Sequence, residues 1–531
     1  MAFNLADLFE GAVDAYPDRE YLVVEGDRRT YGEMEARANQ LAHHLAAEGV
    51  GAGDHVGIYA YNSAQWVEAI WAVFKLRAVW VNINYRYVAD ELRYLFENSD
   101  MVALLHQGEF TDRVAEVRPH LPGLGHCLVV DGPEYEDALA AASPERDFGP
   151  RSGDDRYILY TGGTTGLPKG VVWRHEDVLM ALGGGIDPRT GERITKPEDM
   201  VEKGRAGALT TLPIAPLMHG ATQWAAMGAS FVGNKVVLVR RFDPHAVWGL
   251  VEAERVNLVM ITGDAMGRPL VEALEEPGTS YDTSSLLALS SSAAVFSPTV
   301  KDQFFRHLPN LVLTDAIGAS ESGANGITVV EPGHTAMKGG PTVTAVVDSV
   351  VLDESLRPVA PGSGVVGKLG RRGNIPIGYY KDPDKTAATF VTAPDGQRYA
   401  IPGDFATVEA DGSITLLGRG SVSINSGGEK IHPEEVESAV KAHPDVYDAV
   451  VVGVPDERWG QRVAAVVEAR PGAAPTLEEV QAHCRTRLAG YKVPRQLHLV
   501  EHMQRSPSGK PDYPWAAAVA SQTTEPATPR S

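Results

Sequence analysis

The chain has 531 residues, of which 44% are hydrophobic and 22% are charged, and this composition excludes a wholly disordered protein. A single hydrophobic core rarely grows beyond ~250–300 residues, so two or more domains are expected. The formal net charge of −21 disfavours nucleic acid and anionic lipid as partners, and the 2 cysteines provide no disulfide framework and indicate a reducing compartment.

The first part of the chain alternates helical and strand patterns. Thr30 and Glu33 form a predicted capping box at the start of a helix. Residues 55–61 predict a buried strand, residues 64–76 a helix and residues 79–83 another strand. This strand–helix–strand spacing predicts an α/β fold in which parallel sheets are covered by helices.

Two segments bear on the location of the protein. The first residues carry Asp7 and Glu10 without a basic region, which is unlike a secretory signal. Residues 207–234 contain no Asp, Glu, Lys or Arg, but Pro213 and Pro216 interrupt them. They are therefore predicted to be buried core beside a site and not an integral membrane segment. The cytoplasm is the expected location.

The pattern changes along the chain in a way that predicts two domains. Residues 183–206 are charged and glycine-rich and predict a surface insertion, whereas the residues after Glu409 predict a compact α+β unit. We predict a large N-terminal domain of layered sheets and helices over 1–420, a small mobile α+β C-terminal domain over 421–520, and a disordered tail over 521–531. A glycine-flanked joint between the domains suits a pivot, because glycine accommodates large changes of backbone angle.

The strongest local signal is TGGTTGLPKG, which follows an apolar strand pattern. Its glycines allow backbone N–H groups to converge on an anion, while its hydroxyls and its lysine add donors and charge. A triphosphate is the expected guest, although Pro168 and Gly170 on either side of the lysine exclude a Walker loop. The alternative is a flexible surface loop. The candidate binding residues are Thr161, Gly162, Gly163, Thr164, Thr165, Gly166 and Lys169.

A second signal is TDAIGASESG, in which Glu321 follows a strand pattern and a predicted tight turn at Gly318. A carboxylate there suits Mg²⁺, which takes one or two carboxylates together with phosphate oxygens. Ser320 can donate to a phosphate. A nucleophile elbow is excluded because Ser322 stands where G-x-S-x-G requires glycine, and a solvated acidic turn is the alternative.

Three weaker signals lie further along the chain. Asp404 and Arg419 flank a predicted hairpin, and an aspartate in such a position can accept both hydroxyls of a ribose, although Pro-Gly-Asp is also an ordinary turn. Gly427 and Gly428 precede the N-terminus of a predicted helix. Lys510 lies in a turn rich in proline and glycine, where a lone lysine is usually solvated.

These five segments, in this order, resemble the adenylate-forming superfamily, which includes acyl-CoA synthetases, adenylation domains of peptide synthetases and luciferases. The resemblance covers almost the whole chain, and its most specific parts are TGGTTGLPKG and GRG…INSGGEKIHPEEVE. The chain is most similar to actinobacterial acyl-CoA ligases that act on fatty acids or steroid-derived acids, on the evidence of DAIGASE, GRGSVSIN and RSPSGKPDY.

The resemblance implies that the matching positions bind ATP, its metal ion or the acyl group. Residues 161–169 would bind the ATP phosphates, Ser320 would contact a phosphate and Glu321 would bind Mg²⁺. Asp404 and Arg419 would bind the ribose, and Lys510 would contact the α-phosphate and the carboxylate. His219 in PLMHG would lie in the wall of the acyl pocket. Four features depart from the family pattern: Ile317, Ser421, Ser320 in place of threonine, and SSAA in place of a glycine-richer stretch. Ile317 replaces an aromatic residue that stacks on adenine, which leaves Asp315 to accept from the adenine amine, and Ser421 replaces the usual hinge Asp or Lys.

The resemblance also implies a two-step reaction with ATP, Mg²⁺ and coenzyme A as cofactors. A hydrophobic carboxylic acid, either a medium- or long-chain fatty acid or a steroid-derived acid, forms an acyl-adenylate, and the CoA thiol then attacks it. Rotation about Gly420–Ser421 would withdraw Lys510 and bring in the 423–430 loop, with Gly427 and Gly428, to line the pantetheine path. A homodimer is left open.

Three alternatives are retained. The first is an acyl-AMP ligase that hands its acyl group to a carrier protein or retains it. The second is a nucleotide-binding protein without catalysis. The third is a serine hydrolase, which is disfavoured because the chain contains no G-x-S-x-G.

Overall fold

The computed structural model describes residues 3–161, 167–187, 190–335, 340–426, 429–456, 459–506 and 509–522. The described helices are α1 (Leu5–Ala15), α2 (Tyr31–Ala47), α3 (Ala64–Lys75), α4 (Ala89–Asn98), α5 (Thr111–Val117), α6 (Pro133–Ala140), α7 (His175–Leu182), α8 (Glu198–Lys203), α9 (Gly220–Phe231), α10 (Pro244–Ala253), α11 (Gly263–Glu275), α12 (Pro298–His307), α13 (Pro383–Thr389), α14 (Pro433–Lys441), α15 (Leu477–Arg485) and α16 (Tyr513–Ser521).

The strands alternate with these helices and form three sheets within the described residues. They are β1 (Glu20–Val24), β2 (Asp27–Thr30), β3 (His55–Tyr59), β4 (Val79–Asn82), β5 (Met101–His106), β6 (His126–Val129), β7 (Arg156–Thr161), β8 (Lys169–Arg174), β9 (Thr210–Pro213), β10 (Lys235–Leu238), β11 (Leu258–Ile261), β12 (Ala288–Ser291), β13 (Val312–Ala319), β14 (Gly323–Val330), β15 (Thr342–Ala345), β16 (Ser349–Leu352), β17 (Gly367–Arg371), β18 (Gly378–Tyr379), β19 (Phe390–Thr392), β20 (Arg398–Ala400), β21 (Asp404–Val408), β22 (Ile414–Arg419), β23 (Ile424–Ser426), β24 (Glu429–Ile431), β25 (Val446–Asp456), β26 (Gly460–Ala469) and β27 (Gln496–Val500).

A 7-stranded sheet of the described residues has the order β18-β8-β7-β4-β3-β5-β6. Its centre is parallel, because β3 pairs in parallel with β4 and β5, and β4 with β7. All five residues of β3 are buried, as is expected for a strand covered by helices on both faces. The predicted strands and helix between residues 55 and 83 are present, and the predicted α/β class is confirmed.

A 15-stranded sheet of the described residues continues from parallel strands into antiparallel ones. Strand β9 pairs in parallel with β11, β11 with β12, and β12 with β13. The chain then reverses, and β14 pairs antiparallel with β13. Helices α1, α2, α3 and α9 bury their apolar faces in one cluster of this region. Within it Trp71 stacks on Phe9 with ring centroids 4.3 Å apart, so the N-terminal helix is part of the core.

The C-terminal unit is a 5-stranded sheet of described residues with helices on both faces. The period-two pattern of β25 explains this arrangement. Ala449 and Val451 point into a cluster with α14 and α15, whereas Val450 and Val452 point into a cluster with α16. Helix α16 was not among the predicted elements, although Asp512 caps it by accepting a hydrogen bond from the Trp515 backbone.

Two details of the sequence-based interpretation need correction. The tight turn predicted at Gly318 is wrong, because Gly318 lies within β13 and the chain reverses after Ala319. The residues 183–206 are not wholly a surface insertion, because Met200 of α8 is buried in the main core and Tyr16 donates to the carbonyl of Val201 at 2.9 Å. Apolar residues spaced among the charges anchor this segment to α1.

Candidate active site

The predicted phosphate loop connects two antiparallel strands of the 7-stranded sheet. Thr161 ends β7 and pairs with Lys169, which begins β8. The predicted ligands at residues 162–166 lie outside the described residues. Lys169 Nζ forms an ion pair with Asp382, whose carboxylate also caps α13 by accepting from the Lys385 backbone at 2.9 Å. The Lys169 contact lowers the pKa of Asp382, so this lysine is held in place by a partner that the motif did not reveal.

Glu321 and Ser320 lie in the turn between β13 and β14, and both are tied to the 7-stranded sheet. Tyr379 Oη donates to Glu321 Oε1 at 3.0 Å, and Trp173 Nε1 donates to the Ser320 carbonyl at 3.0 Å. Trp173 belongs to β8, the strand that begins at Lys169, and Tyr379 pairs with Val171 of the same strand. The predicted metal ligand is therefore anchored to the strand that carries the predicted phosphate lysine.

His219 is brought to the same loop by a buried asparagine. Asn82 Nδ2 donates to the carbonyls of Tyr160 at 2.9 Å and Met218 at 2.7 Å, and Asn82 Oδ1 accepts from the Tyr160 backbone at 2.7 Å. Tyr160 precedes Thr161, and Met218 precedes His219. One side chain thus fixes the position of PLMHG relative to the start of the phosphate loop, although no sequence motif marks it.

Lys510 of the C-terminal unit lies near His219. The buried Nε2 of His219 has no hydrogen-bond partner among the described residues. Burial, together with the positive charges of Lys510 and Arg86, lowers the pKa of His219 to about 3. The imidazole is therefore neutral at physiological pH, and the ammonium group of Lys510 is close enough to act on it electrostatically.

The turn that carries Lys510 is braced by an arginine. Arg505 forms a two-point ion pair with Asp448, at 2.6 and 2.7 Å, and its Nη1 donates to the Gly509 carbonyl at 2.9 Å. Gly509 has φ +72°, and a Cβ there would approach Ala265 to 2.8 Å. The turn is therefore fixed within its own domain and packs closely against α11 of the N-terminal domain.

Helix α11 makes further contacts with the C-terminal unit. Glu272 pairs with Arg470 at 3.3 Å, and the guanidinium of Arg268 lies 5.5 Å from the centroid of the Tyr447 ring. In addition, Arg86 donates to the Arg505 carbonyl at 3.4 Å. These polar contacts hold the C-terminal unit in the orientation that brings Lys510 towards His219.

The predicted ribose pair lies at the joint between the domains. Asp404 and Arg419 face each other in the register of antiparallel β21 and β22. The Gly420 backbone then donates to the Gly403 carbonyl at 3.1 Å, and Ser421 falls in a short 3₁₀ turn over Gly420–Val422. The predicted Gly427 and Gly428 lie outside the described residues. The backbones of these two residues are thus opposite each other beside the predicted pivot.

Asp315 has a different environment from the one predicted. It is buried on β13 and forms an ion pair with the buried Lys301. Burial raises the pKa of Asp315 although Lys301 lowers it. The neighbouring Ile317 packs with Val343 and Leu369 in an apolar cluster. Lys301 thus already engages the carboxylate that was predicted to accept from the adenine amine.

A cavity of about 880 Å³ opens between the two domains. It extends from Pro216, near His219, to Gly509, beside Lys510. The arginines that line it were not predicted from the sequence. The consecutive Arg240 and Arg241, which follow the apolar strand β10, could have indicated them. The lining arginines are Arg86, Arg113, Arg240, Arg241, Arg268 and Arg505.

Among these arginines, Arg268 is buried and forms an ion pair with Asp264 at 3.5 Å, but its Nη1 and Nη2 have no hydrogen-bond partner within the described part of the chain. A buried guanidinium is stable only when it is paired and hydrogen-bonded. Acidic residues also line the cavity, namely Glu109, Asp264, Asp448 and Glu468, so an anionic ligand would supply only the hydrogen bonds that Arg268 lacks.

Residues 9–380 match the family of AMP-binding enzymes, and residues 435–510 match the AMP-binding enzyme C-terminal domain. The chain belongs to the AMP-binding enzyme family, which confirms the predicted resemblance. A 3-oxocholest-4-en-26-oate–CoA ligase of Rhodococcus rhodochrous is 53% identical to it over 532 residues, with 97% of this chain and 96% of that protein covered. A medium/long-chain-fatty-acid–CoA/3-oxocholest-4-en-26-oate–CoA ligase of Mycolicibacterium smegmatis is 54% identical over 539 residues, with 98% and 97% covered.

Solved structures show the same fold. The anthranilate CoA ligase AuaEII in complex with anthranoyl-AMP matches with a TM-score of 0.85 at 22% identity, over 98% of this chain and 97% of that one. ATP-bound MatB from Rhodopseudomonas palustris matches with a TM-score of 0.82 at 24% identity, over 98% and 99%. In the described ranges, no helix is long and apolar enough to cross a membrane.

Proposed function

We propose that the chain is an AMP-forming acid–CoA ligase for a hydrophobic carboxylic acid. The observation that carries this proposal is the cavity that extends from Pro216, near His219, to Gly509, beside Lys510, with Asn82 holding Met218 beside the start of the phosphate loop. Two positions far apart in sequence thereby meet at one cleft. The names of the relatives favour a medium- or long-chain fatty acid or a steroid-derived acid as the substrate.

The first half-reaction needs charge neutralisation and not a protein nucleophile. A carboxylate oxygen of the acid attacks the α-phosphorus of ATP, the bond to pyrophosphate breaks, and pyrophosphate leaves. Lys510 would contact the α-phosphate and the carboxylate, and Lys169 and the loop from Thr161 would contact the outer phosphates. Such donors act strongly in a cleft that excludes water, because they are oriented before charge develops.

The residues present fit a magnesium ion. Glu321 is half-buried, with one carboxylate oxygen held by Tyr379 and the other able to serve as a hard oxygen ligand. Glu321 would hold the ion together with phosphate oxygens of ATP. When bound, Mg²⁺ would neutralise phosphate charge as a Lewis acid.

We expect replacement of Glu321 by glutamine to raise the Mg²⁺ concentration needed for half-maximal ATP–pyrophosphate exchange and to lower the rate by about 10²-fold, because a neutral amide binds the ion weakly. The measurement is a Mg²⁺ titration of the exchange reaction. Tyr379→Phe is the matched control, since it removes the hydrogen bond that orients Glu321 but keeps both carboxylate oxygens, and should have a smaller effect. An unchanged Mg²⁺ dependence in Glu321→Gln would remove this residue from the metal site.

In the second half-reaction the CoA thiol attacks the acyl carbonyl and AMP leaves. We place the phosphates of CoA in the arginine-lined cavity, because a chain with a net charge of −21 binds a polyanion only through a local cluster of donors. Tyr61 supports two of these donors, with its ring 5.2 Å from the Arg240 guanidinium and 4.9 Å from that of Arg241. The cavity also leads towards Pro216, where the acyl carbonyl would lie.

We expect the double variant Arg240→Ala/Arg241→Ala to raise the KM for CoA by about 10-fold or more, because each hydrogen bond to a charged group contributes about 1.5–3 kcal/mol. The ATP–pyrophosphate exchange should be unchanged, since that step precedes CoA binding. Arg205→Ala provides the control, because Arg205 is exposed and pairs only locally with Glu202. If the KM values for ATP and CoA rose equally, the CoA phosphates would bind elsewhere.

The proposal as a whole is tested by a panel of short, medium and long fatty acids, aromatic acids and steroid-derived acids, scored for AMP release that requires both ATP and CoA. We expect the highest kcat/KM with a hydrophobic acid. AMP release that does not depend on CoA would favour transfer to a carrier protein, and no ATP consumption with any acid would favour a protein that only binds nucleotides. A cytoplasmic location, where ATP and CoA are supplied, and a homodimer stay predictions.

A further inference from the structure

A second cluster of potential ligands lies away from the proposed active site. His44 is in the last turn of α2, Glu48 caps that helix, and His126 begins β6. Strand β6 is an edge strand of the 7-stranded sheet, and β18, which carries Tyr379, is at the opposite edge. None of the three residues contributes to the proposed chemistry.

The geometry of the three side chains matches a metal tripod. One ligand atom from each residue lies within 4.8 Å of the other two. His44 Nε2 is 3.3 Å from His126 Nε2, and tetrahedral zinc with Zn–N bonds of 2.0–2.1 Å requires about this separation between two ligand nitrogens. Glu48 Oε2 is 3.4 Å from His126 Nδ1, and the exposed Glu48 side chain can rotate to complete the set.

The local structure explains why these residues meet. Positions 44 and 48 are four residues apart, so their side chains lie on one face of the helix. The helix also ends there, and the negative end of its dipole favours a cation. The positive charge of Arg118 acts on His126 and opposes the attraction of a cation to this place. Cys127 packs into an apolar cluster on the opposite side of β6, so the tripod contains nitrogen and oxygen ligands without sulfur.

We propose that His44, Glu48 and His126 form a binding site for a divalent cation of borderline softness, with Zn²⁺ as the representative ion and water in the fourth position. Two imidazoles and one carboxylate are a common ligand set for zinc, whereas Mg²⁺ prefers oxygen ligands only. A bound ion would join the end of α2 to the edge strand β6. Its expected effect is on stability of the N-terminal domain and not on catalysis.

The test is calorimetric titration of the full-length protein, freed of metal by a chelator, with Zn²⁺ in the presence of excess Mg²⁺. We expect one site that Mg²⁺ does not displace and a rise in the midpoint of thermal unfolding on Zn²⁺ addition. His44→Ala and His126→Ala should each weaken binding by at least about tenfold, because loss of even an outer-shell partner costs ~10–100-fold. Glu48→Gln tests the exposed ligand with little risk to folding.

His43→Ala is the matched control, because the His43 imidazole is adjacent in sequence, contacts Asp147 at 2.9 Å and belongs to no such tripod among the described residues. It should bind Zn²⁺ as the unmodified chain does. The proposal is overturned if Zn²⁺ does not bind, or if Glu48→Gln and the two histidine variants bind it as tightly as His43→Ala does. Ligase activity provides a separate readout, because adenylate formation should be the same in the Glu48→Gln variant and the parent.

Discussion

Replacing Lys510 with alanine is expected to reduce acyl-adenylate formation by at least ~10²–10³-fold, whereas supplied acyl-adenylate and CoA should still give thioester at nearly the normal rate. The reason is that Lys510, which lies near His219 in this structure, would stabilise charge on the α-phosphate only in the first step. The second step instead needs access for the thiol. The two half-reactions are measured separately, by ATP–pyrophosphate exchange and by thioester formation from synthetic acyl-adenylate.

Lys492→Ala is the control for this experiment, because Lys492 is a C-terminal-domain lysine whose Nζ binds Glu435 at 2.7 Å. It should leave both half-reactions close to normal. If Lys510→Ala slowed both half-reactions equally, the proposed division of labour between two domain orientations would be wrong. The contacts of α11 with Tyr447 and Arg470 would then describe a fixed interface.

The second large effect is expected for the stability of the N-terminal domain. Lys75 has a fully buried side chain, and its Nζ donates to Glu10 and, at 2.8 Å, to Glu35. Lys75→Met would leave two buried carboxylates without their shared cation, and breaking a buried pair costs about 3–5 kcal/mol. Arg151 and Arg146 also contact these carboxylates, so we expect a loss near the lower end, measured by urea unfolding.

The pH dependence of unfolding provides a check on the same network. Burial raises the pKa of Glu10, but the hydrogen bond from Arg151 and the charge of Lys75 outweigh it, and the net shift is downward. The stabilisation is therefore complete above the carboxyl's pKa in the unfolded chain, about 4.3, and is lost as the pH falls through the lower folded value. In Lys75→Met the folded pKa of Glu10 should lie closer to the unfolded value, so less stability should be lost over this pH range.

Arg146→Ala serves as the comparison, because its side chain is 31% exposed and its removal should cost less than that of Lys75. The combined variant Lys75→Met/Glu35→Leu should regain part of the lost stability, since apolar groups can replace a buried ion pair without net cost. A loss below about 1 kcal/mol in Lys75→Met would show that Arg151 and Arg146 neutralise the carboxylates by themselves.

Local sequence patterns predicted the helices and strands that depend mainly on neighbouring residues. The capping box of Thr30 and Glu33 is present at the start of α2, and the strand predicted over residues 79–83 matches β4. Helix α16 was overlooked because its mixture of tyrosine, proline and alanine lacks a strong amphipathic pattern. The turn after β13 was misplaced because Gly318 suggested a reversal, whereas here glycine permits close pairing, with the Gly323 carbonyl only 2.6 Å from the position of an added Cβ.

The candidate site was predicted residue by residue but not as a connected structure. Motifs indicated Lys169 and Glu321, because phosphate and metal chemistry favours particular residue types at close spacing, whereas only the family resemblance indicated Lys510. The partners that orient them, such as Asp382 for Lys169 and Tyr379 for Glu321, are distant in sequence and follow no short motif. Contacts of this kind depend on how the sheets and the two domains come together.

The polar character of the contacts between α11 and the C-terminal unit has a consequence for turnover. Ion pairs and a cation resting on a tyrosine ring can be exchanged for water at little cost, since their partners are well solvated when apart. If the C-terminal unit acts as the proposed lid, its separation from α11 would expose no large apolar surface. Raising the ionic strength should therefore loosen this docked arrangement without unfolding either domain.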